Sequence, residues 1–105
     1  MNYYTIPRDG GYRVAMPAAV EAAVKAALTA DIRRGEAFTR WDKSADRSWC
    51  SEDPHYTDGQ QASAQAAVPA AKAAWSEACR EATAAWAEAH RIAGEADLLL
   101  KREYR

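Results

Sequence analysis

The residues able to do chemistry are few, and most lie close together. The chain has two cysteines, Cys50 and Cys79, and two histidines, His55 and His90. A nucleophilic Cys–His dyad needs a base within reach and a third group to orient it, and no spacing here supplies both. Neither cysteine stands in a nucleophile-elbow or oxyanion-donor setting. As metal ligands the four residues give the intervals C-x4-H and C-x10-H, which lie outside the usual zinc spacings. Most carboxylates form i,i+3 or i,i+4 pairs with bases: Glu77–Arg80, Glu88–Arg91, Arg91–Glu95 and Asp97–Lys101. That is the pattern of a solvated helix face. Gly10 and Gly11 fit a tight turn better than a phosphate-binding loop. The sequence predicts a non-enzymatic protein with no cofactor and no metal.

The expressive residues instead gather in one segment, FTRWDKSADRSWCSEDPHY, over 38–56. Trp, Tyr and Arg are what binding hot spots are made of, and charge pairs set register and reject wrong partners. Phe38, Arg40, Trp41, Asp42, Arg47, Asp53, His55 and Tyr56 are therefore the expected partner-binding set. The competing reading has the aromatics filling a core that alanine cannot, with Trp49 buried and Trp41 and Tyr56 exposed. A third reading takes Arg33, Arg34, Arg40, Lys43 and Arg47, interleaved with Phe38 and Trp41, as a single-strand binding surface. Glu36, Asp42 and Asp46 dilute that field, and no helix is expected to carry a basic recognition face.

The totals bound these options. Lys plus Arg number 14 and Asp plus Glu 15, for a net charge of -1. A generic polyanion binder and an acidic nucleic-acid mimic both need a strong field of one sign. Alanine accounts for 26 residues and larger apolar side chains for 25. Burial contributes roughly 25 cal/mol per Å², so this much alanine implies a thin core that a partner, often a second copy, would complete. Met1 is not followed by a basic and then apolar leader pattern, and no run reaches the ~18 apolar residues of a membrane span. The expectation is a soluble, cytoplasmic chain with free thiols.

The frame that would carry the segment reads as α+β and mostly α, in a single domain over 1–105. Residues 3–16 predict a β-hairpin turning at PRDGG, with Tyr4 and Ile6 sharing one face with Tyr12, Val14 and Met16. Val20, Val24, Ala27, Leu28 and Ile32 recur at threes and fours, predicting a helix over 18–34 with Gly35 as its C-cap. Residues 36–58 lack that period and read as irregular chain or short strands. Asp58 through Gln61 has the form of an N-cap with a reciprocal glutamine. It would open a helix over 59–104, straight, bent at Gly94, or divided near Pro69. A heptad seam over this helix holds Trp75, Cys79, Trp86, Ala93 and Leu100, and predicts a homodimer through it or packing within one chain.

In size, alanine content and lack of motifs the chain is similar to the accessory inhibitors of phages and mobile elements, anti-CRISPR proteins among them. That likeness is one of class and rests on no residue. The functional expectation is a protein–protein interaction module, an inhibitor or adaptor acting by occlusion. A small dimeric nucleic-acid-binding regulator and a self-assembling structural helical protein are the alternatives.

Overall fold

A computed structural model describes residues 2–50 and 57–103, and at 46–50, 58, 61 and 64 it describes the backbone alone. The fold is α+β and mostly α. Its elements run β1 (Tyr3–Pro7), α1 (Ala18–Cys50), α2 (Asp58–Glu95) and β2 (Leu98–Arg102). The chain divides into two compact units, residues 1–29 with 82–105, and residues 30–81.

In the first unit β1 and β2 pair antiparallel, with Tyr3 opposite Arg102, Thr5 opposite Leu100 and Pro7 opposite Leu98. The N-terminal segment folds back as a hairpin. Gly10 N–H donates to the Pro7 carbonyl at 3.0 Å and Val14 N–H to that of Thr5 at 3.0 Å. Gly10 and Gly11 take φ of 99° and 124°, values glycine adopts without steric cost. The returning strand is reduced to the single bridge between Thr5 and Val14, and the regular ladder is made with β2.

Of the two strand faces, the one that carries Thr5 turns inward. Thr5 is fully buried, and its hydroxyl donates to the Val14 carbonyl at 3.2 Å, so its burial leaves no polar group unsatisfied. Tyr3 packs against Trp86 with ring centroids 4.6 Å apart and the planes tilted by 31°. Tyr4 lies beneath the Arg13 guanidinium, 4.0 Å from its ring centre, while Tyr12 is 93% exposed. The inward face holds small Thr5 over helices rich in alanine, where a larger side chain would hold the layers apart.

Val20, Val24, Ala89, Ala93 and Leu100 form the core of this unit, with Met16, Leu28, Ile92 and Leu98 packed against it. Ala27, Ala82, Ala89 and Ala93 have no exposed surface at all. Side chains this small let helices approach toward the short end of the usual 8–10 Å range.

Three boundaries differ from the sequence expectation. Gly35 does not cap α1, which continues to Cys50, so 36–50 is helix rather than irregular chain or strand. The stripe that continues it is made of small residues: Ala30 and Ala37 are buried, and Trp41, Ser44 and Ala45 partly so. The cap of α2 is shifted by one residue. The Gln60 N–H donates to Thr57 Oγ1 at 3.2 Å, and the Thr57 N–H donates to Gln60 Oε1 at 2.9 Å. Thr57, not Asp58, thus closes the reciprocal box. The helix runs through Pro69 and stops at Glu95 rather than near 104. Asp97 takes the left-handed region at φ 57°, and the following leucines leave helix for the ladder with β1.

Near this end, Arg8 Nη2 donates to the Gly94 carbonyl at 3.1 Å, and a Cβ built on Gly94 would lie 3.0 Å from the same nitrogen. The Arg8 side chain is 59% exposed and can swing aside. Gly94→Ala is therefore expected to change stability by no more than about 1 kcal/mol, the helix-propensity gain offsetting one lost hydrogen bond. Urea unfolding checks it, and a loss above about 2 kcal/mol would show that the arginine pins the helix end. On the exposed face of α2, Arg91 bonds both Glu88 and Glu95. The hydrogen bond from Arg91 holds the Glu88 carboxyl below the usual carboxylate range.

Candidate interaction surface

The second unit carries the aromatic residues. With 36–50 helical, Phe38 and Trp41 stand three residues apart, one turn along α1. Trp75, on α2, meets both. Its ring lies parallel to that of Trp41, with centroids 4.9 Å apart and an interplanar angle of 4°. Phe38 sets its edge against each, with centroids 5.6 Å from Trp75 and 5.8 Å from Trp41. Edge-to-face and stacked pairs of this kind contribute about 0.5–1.5 kcal/mol beyond area burial. The trio is not sealed: Phe38 keeps 44% of its surface exposed, and both tryptophans are half-buried.

Of the expected partner-binding set, Phe38, Arg40, Trp41 and Asp42 all lie on α1. Arg47 falls on the same helix at a position where only the backbone is described, and Asp53, His55 and Tyr56 lie outside the described residues. At 100° per residue, Phe38 and Asp42 share one flank, Trp41 turns toward α2, and Arg40 stands 200° from Phe38 on the other flank. The four therefore do not form one patch. Arg40 instead joins Arg33, seven residues before it, and Lys43, three after. All three are exposed, and none makes an ion pair among the described residues. By contrast Lys25, Arg34, Arg80 and Arg91 are each paired with a carboxylate. The continued helix thus gathers Arg33, Arg40 and Lys43 on one flank, with the exposed Glu36 among them.

No family model, curated protein or solved structure matches this chain.

The residues read as a pairing seam are distributed differently. Trp75 belongs to the aromatic trio, and Trp86 to the tilted pair with Tyr3. Ala93 and Leu100 belong to the core of the first unit, Leu100 from β2 rather than from a helix. Cys79 is a half-buried free thiol. Much of this seam is consumed within one chain. Among the described residues no three His, Cys, Asp or Glu side chains are grouped to hold a metal. No described helix is long and apolar enough to cross a membrane.

Trp75 is the site residue that sequence reasoning placed elsewhere. Its signal was present in the period of the small residues Ala30 and Ala37 leading to Trp41, which predicts that Phe38 and Trp41 share a helix with a neighbour.

Proposed function

We propose that this chain is a non-enzymatic, cytoplasmic protein–protein interaction module, a small inhibitor or adaptor that occludes a partner's surface. The observation that supports this is the half-open trio of Phe38, Trp41 and Trp75. Aromatic side chains held rigidly by one another present area at little entropic cost, and they dominate hot spots where water is excluded. Asp42, one turn after Phe38 on the same flank, supplies a charge at the rim.

The experiment is a pull-down from nuclease-treated lysate, with the wild type beside Phe38→Ser. Phe38 is already partly exposed, so the substitution is expected to preserve the helical circular dichroism. A hot-spot loss of about 2 kcal/mol would weaken capture roughly thirtyfold. A folded variant that captures the same protein as strongly would overturn this reading.

The basic flank of α1 supports a second one, a nucleic-acid-binding regulator. Arg33, Arg40 and Lys43 offer three phosphate contacts on one helix face, turned away from the aromatics, against one carboxylate there, Glu36. Affinity for a DNA duplex would then fall with salt, and Arg40→Glu/Lys43→Glu would reduce the slope by about two. Binding insensitive to salt and to both substitutions would remove this reading.

A further inference from the structure

The sheet of the first unit has two strands, and β2 has no strand neighbour but β1 among the described residues. Its hydrogen-bonding direction follows from the observed bonds. The Thr5 carbonyl accepts from Val14, so Thr5 turns its main-chain groups away from β2, and alternation gives the β1–β2 bonds to the residues on either side of it. Arg8 N–H to the Asp97 carbonyl at 2.9 Å, and Glu103 N–H to the Asn2 carbonyl at 2.6 Å, continue that alternation at both ends. Leu98 and Leu100 therefore direct their N–H and C=O groups to the far edge of β2. An edge of this kind is a template for another strand. It contains no proline and no bulge.

The side chains along this edge say which strand fits. From 97 to 101 the sequence is DLLLK; Leu99 and Lys101 alternate onto the outward face, and Asp97 stands in the turn just before the strand. Read backwards, acid, leucine, base becomes base, leucine, acid, so the segment is its own antiparallel complement. The Asp97 side chain is 88% exposed, with its carboxylate 4.0 Å from Arg8 Nη1, and Leu99 is 37% exposed. Lys101 is exposed and has no ion pair among the described residues.

We propose that β2 is a homodimer edge, on which a second copy docks its own β2 antiparallel to make a four-stranded sheet. The register is centred on Leu99. Leu99 then faces Leu99 of the second copy, and Leu98 exchanges main-chain bonds with the second copy's Leu100. Asp97 and Lys101 face each other twice, once in each direction. The neighbouring registers are worse. Centring on Leu100 sets Asp97 against Glu103 and Leu99 against Lys101. Centring on Lys101 sets two lysines together. Like charges directly opposite are destabilising and opposite charges stabilising. This surface is independent of the aromatic trio, so its test stands or falls apart from the reading above.

The test is sedimentation equilibrium of the full chain, where so small an interface fits a Kd of roughly 10–100 µM. Lys101→Glu and Asp97→Lys are each expected to weaken the dimer about tenfold or more, because each turns two attractions into two repulsions. Mixed in equal amounts, the two variants should dimerise again, since every acid then faces a base. A wild type that stays monomeric at about 1 mM overturns the proposal. So does a dimer that neither substitution weakens, or a mixture that fails to recover. Should Asp97→Lys lose its helical circular dichroism at that left-handed position, Leu99→Lys takes its place, and an unweakened dimer of that variant also overturns the proposal.

Discussion

Ala89→Leu is expected to lower stability by about 2–3 kcal/mol and the melting temperature by roughly 10–20 °C. Ala89 has no exposed surface and shares a core with Val20, Val24, Ala93 and Leu100. Leucine forms helices almost as well as alanine, so the loss measures packing rather than propensity. The three added heavy atoms have no space, and neighbours must leave their rotamers or the helices must separate. Ala87→Leu is the control. Ala87 is exposed on the same helix, and its substitution should be nearly neutral. Thermal unfolding of the two variants side by side decides it. Equal, mild effects would show that the alanine contact is loose.

The second large effect is expected at Trp75. Trp75→Ala removes the parallel partner of Trp41 and one of the two rings that Phe38 meets edge-on. A fully buried tryptophan costs about 3–5 kcal/mol on truncation. Trp75 is half-buried, so its area term is smaller, but two ring contacts add to it. The expected loss is about 3 kcal/mol, read by urea unfolding, with the near-ultraviolet circular dichroism of the stacked indoles lost as well. Trp75→Phe should recover part of both. A variant that keeps the indole signal unchanged would show that the stack is not formed in solution.

The helix over 18–34 was legible because Val20, Val24 and Leu28 mark its inner face at helical spacing, although Ile32, expected to continue that stripe, is 63% exposed. The continuation to Cys50 was not, because Ala30, Ala37, Ser44 and Ala45 mark it only by being small. A search for large apolar residues passes over them, and Gly35 looks like a stop. No positive φ is found there, and Gly35 lies inside the helix. The hairpin turn was legible because Asp-Gly-Gly at 9–11 has a local meaning. Which face of the strand is buried was not, because that depends on what lies beneath it. β2 was hidden for a related reason. Leu98, Leu99 and Leu100 suit a helix by propensity, and a strand some ninety residues earlier in sequence overrides it.

The candidate site was half legible. Composition singled out Phe38 and Trp41, while their partner Trp75 was assigned to a seam. Arg40 and Asp42 were grouped with them because they are neighbours in sequence, whereas a helix separates such neighbours by its turn.

Pairing Tyr3 with Arg102 also orders events in time. Helices can form as soon as their own residues exist, but β1 must wait for β2, which lies some ninety residues further along the chain. Closing so long a loop is slow compared with local structure. During synthesis Tyr3, Thr5 and Ile6 have no ladder to join until β2 has been made, so the first unit can be completed only then. Folding intermediates of this protein should therefore hold helix early and gain protection of the Tyr4 and Lys101 amides in the final step.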